Sequence, residues 1–255
     1  MIKKIITLTL FWCSLNLFAK QTINYTKTSQ KLLQNLIENK PFRVEVKTLA
    51  KGSLKDLILE LNTDEKKIAF WINVYNAFIQ ISLTKNPKEY ENRSRFFKKP
   101  RIQIANQLLS FDNIEHGILR KSTVKLSLGY LKKIFRPKWE LELRIQGEID
   151  WRIHFALNCG AKNCPPVQIY SPKNLNTALN FATKEFLETQ TTYNLKNKTV
   201  KTTTLFSWFR GDFKGIKGVK KILIDYKIVP EMPNRLVFTN YDWTLSLANY
   251  RIIPK

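Results

Sequence analysis

One stretch constrains the fold more than any other: residues 62–84, with IAFWINVYNAFIQISL at their centre. Asn62 stands three residues before Glu65, the signature of a helix N-terminus with an amide in place of the usual hydroxyl. The helix it opens runs to about Thr84. Apolar side chains fall on nearly every face of it, so the helix cannot lie on a surface and must be wrapped by the rest of the chain. Asn73, Asn76 and Gln80 interrupt it at i, i+3, i+7, which sets three amides on one stripe. A buried amide without a partner is costly. The stripe therefore meets either backbone groups or the polar wall of a site, and the sequence leaves both readings open.

The segments on either side supply the wrapping. Ser29–Glu38 has helical spacing of Leu32, Leu33, Leu36 and Ile37. Pro41–Thr48, where Val44 and Val46 alternate, reads as an extended link, and Leu49–Leu61 as a second helix. Arg101–Leu109 reads as a hairpin turning at Asn106-Gln107, and Ser110 as the cap of a helix over Phe111–Lys121. Trp151–Leu157 and Val200–Thr204 read as strands. Asn174–Leu187 reads as a helix, Leu205–Phe213 and Val219–Tyr226 as short helices, and Arg235–Thr239 as a strand running into YDW. Helices outnumber strands and no βαβ alternation occurs. The expectation is an α+β fold: one mostly helical domain over residues 20–255 with a small, largely antiparallel sheet.

The first residues, MIKKIITLTLFWCSLNLFAKQ, combine a basic start, an apolar run from Ile5 to Phe18 and a small residue at Ala19. They read as a secretory signal peptide over residues 1–19. Phe11 and Trp12 are too bulky for a lipidation site at Cys13. Its removal would take two lysines from a net charge of +23 and leave only Cys159 and Cys164 of the three cysteines. The chain is therefore expected to be exported, periplasmic or extracellular. Its densest basic stretch, Lys85–Arg101, is either a solvated surface or a patch for an anionic cell-envelope polymer or membrane surface. No nucleic-acid motif is present, and nucleic acid is not an expected partner.

The chemistry-bearing residues concentrate in HFALNCGAKNCPP, His154–Pro166. In an oxidising compartment Cys159 and Cys164 would form a disulfide closing a small ring. The rival reading is a catalytic thiol, which needs a base and an orienting group. The chain has two histidines, His116 and His154. On a strand, His154 would stand too far from Cys159 for a natural local dyad. His116, from a separate helix, can approach freely, with Asp112 or Glu115 to hold its imidazole and Asn73 or Asn76 to donate to an oxyanion. The spacing matches no zinc motif, and neither a metal nor a cofactor is expected.

Five segments occur in order: AFWINVYNAF, FDNIEHGILR, RIHFALNCGAKNCPP, WFRGDF and YDW. Together they resemble the family catalogued as domain of unknown function 547, over about residues 60–250. The resemblance puts the family's motif residues on Asn73, Asn76, Glu115, His116, His154, Cys159 and Cys164, with Asn163 in place of the usual serine. It implies a domain often found in exported bacterial proteins and no established activity. A distant likeness to papain- or transglutaminase-type cores is suggested by a buried helix followed by polar motifs. Two functions stand: an envelope binding module with a polar His/Cys cleft, or a cysteine–histidine hydrolase or acyl transferase.

Overall fold

A computed structural model describes residues 23–251; the expected signal peptide and Cys13 lie outside the described residues. Helix α1 (Tyr25–Ile37) opens at Asn24, whose carboxamide accepts from Lys27 N at 2.8 Å. The Pro41–Thr48 stretch is not extended: it forms most of α2 (Arg43–Lys51). The Val-x-Val pattern misleads because the buried face is carried by Glu45 and Leu49, four apart, while Val44 points out. The single helix expected over Leu49–Leu61 is interrupted at Gly52-Ser53, where Ser53 caps α3 (Leu54–Glu60) by accepting from Asp56 N at 3.0 Å.

Helix α4 (Asp64–Lys85) is the expected central helix, capped by Thr63 rather than Asn62. Thr63 Oγ1 accepts from Lys66 N at 3.3 Å, and Asn62 takes the Lys66 ammonium instead. Phe70, Trp71, Ile72, Val74, Ala77 and Ile79 are completely buried, as an all-round apolar helix requires. Helix α1 lies along it. Helix α5 (Arg93–Lys98) leads into the hairpin β1 (Ile102–Ile104) and β2 (Gln107–Leu109). The hairpin turns at Ala105-Asn106, one residue earlier than expected, and both residues have positive φ, as two-residue hairpin turns demand.

Beyond α6 (Lys138–Leu143), Trp151–Phe155 is a 3-10 turn rather than a strand. Asp150 closes it by accepting from Arg152 N at 3.1 Å. Helix α7 (Leu175–Gln190) follows, then β3 (Thr192–Asn194), β4 (Thr199–Thr202), α8 (Leu205–Trp208), α9 (Gly215–Asp225) and β5 (Arg235–Phe238). Strand β4 is central: it pairs antiparallel with β3 and parallel with β5. The fold class is α+β. Two apolar cores result, one around α4 and one between α7–α9 and the β3–β5 sheet. The 3-10 turn joins them, with Ile153 in the first and Phe155 in the second. No described helix is long and apolar enough to cross a membrane.

Candidate functional site

The helix expected over Phe111–Lys121 begins as read, with Ser110 Oγ accepting from Asn113 N at 3.1 Å. It then widens into a π-helical segment, Asn113–Leu119. Arg120 N reaches Glu115 O and Ser122 N reaches Gly117 O, both at 2.8 Å and both five residues back. Such widened turns frequently mark functional sites. Here Arg120, completely buried, donates from Nη1 to His116 Nδ1 at 2.8 Å. Its other face grips Asp212, Nε to Oδ2 at 2.6 Å and Nη2 to Oδ1 at 3.3 Å. His154 Nε2 meets the same Oδ2 at 2.8 Å, so one carboxylate holds an arginine and an imidazole together. Phe209 stacks on the His154 ring, 3.9 Å between centroids, and lies 4.6 Å from the guanidinium carbon.

This geometry fixes the protonation of both imidazoles. A guanidinium is only ever a donor, so His116 Nδ1 must accept, and its proton sits on Nε2. Burial, reinforced by the Arg120 charge, holds the His116 pKa well below its ordinary value. His116 is thus a neutral hydrogen-bond donor, which departs from the expected general base. Burial also lowers His154 against the opposing pull of Asp212. Asp212 stays ionised: its bonds from His154 and Arg120 outweigh its burial. It therefore receives the Nε2 proton of His154 and leaves the lone pair of that ring on Nδ1. Glu115 is the opposite case, since burial pushes its carboxyl up to about 7. Tyr75 donates to Glu115 Oε2 at 3.4 Å.

The cysteine loop is held from α4. Asn76 donates to Ala156 O at 2.9 Å and accepts from Asn158 N at 2.8 Å. Buried Asn158 in turn donates to Pro165 O and accepts from Gly160 N, closing the loop on itself. Asn73 makes the same two-way clasp with the backbone of Tyr170, at 2.8 and 2.9 Å. Gln80 accepts from Ala248 N at 2.9 Å. The amide stripe thus fastens backbone segments, and neither Asn73 nor Asn76 reaches the cavity as an oxyanion donor.

Cys159 and Cys164 are both free thiols here, not the expected disulfide. Cys159 N donates to Cys164 Sγ at 3.0 Å, and Tyr241 Oη lies 3.2 Å from Cys164 Sγ and 3.6 Å from Cys159 Sγ. A hydrogen bond from Cys164 lowers the Cys159 thiol, whereas burial pushes Cys164 well up. Half-buried Cys159 is therefore the sulfur that ionises first. Tyr241 comes from a C-terminal strap pinned across the loop by Lys162 N to Thr244 O and Ser246 N to Gly160 O, both 2.8 Å.

These groups share one cavity of about 350 Å³. Asp112, Glu115, His116, His154 and Cys159 all line it, beneath an apolar wall that includes Phe97, Leu205, Trp208 and Trp243. At the rim Lys125 pairs with Asp112 at 2.7 Å. No hydrogen bond joins either sulfur to either imidazole among the described residues. No three His, Cys, Asp or Glu side chains among these residues are grouped to hold a metal ion.

Residues 58–187 match the family described as "Protein of unknown function, DUF547". The chain belongs to this family. No curated protein and no solved structure matches it. The DUF547 match contains Asn73, Asn76, Glu115, His116, Arg120, His154, Cys159 and Cys164. Tyr241, which lines the cavity, and Asp212, which holds His154 from behind it, lie beyond the match. Sequence reasoning gave no role to Arg120, Asp212, Asn158 or Tyr241. All four nevertheless sit in the segments FDNIEHGILR, WFRGDF, RIHFALNCGAKNCPP and YDW. An invisible partner across 92 positions, Arg120 to Asp212, was what the sequence lacked.

Proposed function

We propose that the cavity is a thiol acyl-transfer site of an exported protein, acting on the ester or thioester of an apolar acyl group. The observation that carries this is convergence. Both histidines of the chain, a thiol with lowered pKa and a carboxyl poised near neutrality come from two separate segments to one apolar-walled cavity. Cys159 is the nucleophile, and His154, held by Asp212, is the base that takes its proton. The thiolate attacks the acyl carbon, forming a C–S bond. The acyl bond to the leaving group breaks, and the alcohol of an ester or the thiol of a thioester departs with the proton of Glu115. Water then attacks the thioester and gives a proton to Glu115, the C–S bond breaks to release the carboxylic acid, and His154 returns its proton to the Cys159 thiolate. His116 Nε2–H is the donor available to the oxyanion. The apolar wall selects the acyl chain.

Incubation with nitrophenyl esters of increasing acyl length tests the reading by intact mass. An acyl adduct should form on Cys159, be lost in Cys159→Ser, and slow in His154→Ala. No adduct, or one at Cys164 alone, would refute it. The lack of a sulfur–imidazole bond favours a second reading, an envelope module that binds an amphipathic molecule here without turning it over. That reading predicts saturable binding of a fatty acid with no adduct. Export rests on residues 1–19, and the secreted chain should have a mass that begins at Lys20.

A further inference from the structure

Beside the cavity lies a segment that takes no part in the bond-making steps. Residues 121–138, KSTVKLSLGYLKKIFRPK, hold six basic residues and no acid. They also carry the most exposed large hydrophobics of the described residues: Phe135 at 91%, Leu126 at 88% and Ile134 at 82%, with Leu131 at 63%. Monomeric proteins rarely leave such side chains contiguous and uncovered. The segment is not loose chain. Val124 N bonds Leu131 O at 2.9 Å, and Lys133 N bonds Ser122 O at 2.7 Å. Gly211 N reaches Leu128 O at 2.6 Å. Backbone pairing thus fixes the loop between Ser122 and Lys133, the exposed Ile134 and Phe135 follow directly after it, and Leu126 and Leu128 form part of the cavity wall.

We propose that this face docks on an anionic lipid bilayer, with Leu126, Leu131, Ile134 and Phe135 entering the headgroup boundary. Charge decides the occupant. A second copy would press like-charged faces together, and a polyanionic glycan would have no use for four bare hydrophobic tips. An anionic bilayer satisfies both, since its surface attracts lysine and arginine and its interior accepts apolar side chains. Arg136 has no ion-pair partner among the described residues, and Lys138 is only 3.9 Å-paired to Glu142 with its side chain 89% exposed. Lys133 pairs with Glu140 and Lys125 with Asp112, so the outermost charges are those beside Ile134 and Phe135. Docking depends on the loop alone and not on the thiol chemistry.

The test is co-sedimentation of the folded protein with vesicles of phosphatidylcholine, alone or with about one third phosphatidylglycerol. Binding should need the anionic lipid, weaken with salt, and fall about 10-fold or more in Ile134→Ser/Phe135→Ser. Arg136→Glu/Lys138→Glu should weaken it similarly. These side chains are exposed, so both variants should keep the wild-type thermal midpoint. Cys159→Ser should bind like wild type, which separates this proposal from the acyl-transfer reading. Equal binding by wild type and the Ile134/Phe135 variant would overturn it. So would self-association abolished by that variant without vesicles, or capture by a polyanion that ignores it.

Discussion

Asp212→Asn is the sharpest probe of the site. The carboxylate accepts from Arg120 twice and from His154 once, and neither the Arg120 nor the Asp212 side chain has any exposed area. The substitution keeps the shape and removes the charge. Arg120 is then left as a buried cation with His116 Nδ1 and a neutral amide for company. Breaking a buried pair from one side costs about 3–5 kcal/mol, a large part of the roughly 5–15 kcal/mol that holds a domain folded. With a urea slope of about 2–3 kcal/mol per molar, the midpoint should fall by about 1–2 M.

Removing both charges should cost less than removing one. Arg120→Met/Asp212→Asn withdraws the stranded cation, lets the new amide oxygen keep the His154 Nε2–H bond, and leaves only His116 Nδ1 and the new amide N–H groups short of a partner. It should recover at least about 1 kcal/mol of the single-variant loss. Urea unfolding followed by tryptophan fluorescence reads both. A single-variant loss below about 1 kcal/mol, or a double variant no more stable than the single, would refute a desolvated Arg120–Asp212 pair.

Acidification should destabilise the fold below about pH 6.5, the ordinary histidine value. His116 and His154 have depressed folded pKa values, so the unfolded chain binds those protons first and stability falls with pH. Glu115, raised to about 7, acts oppositely between its ordinary value and 7, and below about pH 6.5 it offsets only one of the two histidine protons; melts between about pH 5 and 6.5 read the net slope, which should be positive there. Asn76→Ala frees Ala156 O and Asn158 N in a buried site, and should cost about 2–4 kcal/mol in urea unfolding. Gly211→Ala would set a Cβ 2.7 Å from the Gly129 backbone carbon, and should lower stability by about 1–3 kcal/mol in the same assay.

The central helix was legible because nothing but burial explains a run that is apolar all round. The amide stripe was legible as a need for partners, but not which partners: Tyr170 and Asn158 lie far along the chain from Asn73 and Asn76. Short segments failed where two conformations share one pattern. Val44 and Val46 fit a strand until Glu45 and Leu49 are seen to face inward. Ile153 and Phe155 alternate as a strand would, yet a 3-10 turn sends each into a different core. The π winding was invisible, since the same residues suit an α-helix. It is the tertiary hold of Arg120 on Asp212 that accompanies the wider turn. The gathering of Glu115, His116, His154 and Cys159 was readable from their residue types. The role of His116 was not, because it depends on which group bonds Nδ1.

The site lies where the two apolar cores meet, and this placement has a consequence. Arg120 follows the π segment packed on α4, whereas Asp212 belongs to the turn between α8 and α9, beside Phe213 of the second core. An apolar seam would join the halves without orienting anything. An ion pair is directional, and it carries both imidazoles with it. Loss of stability and loss of thiol reactivity should therefore be separable. Ile72→Val, deep in the first core, should cost about 0.5–1.5 kcal/mol and leave the iodoacetamide rate of Cys159 unchanged. Asp212→Asn should lower stability and also shift the pH dependence of that rate, because His154 loses the carboxylate that fixes its tautomer. If both variants altered the rate only in proportion to their stability loss, the seam would be a structural joint and nothing more.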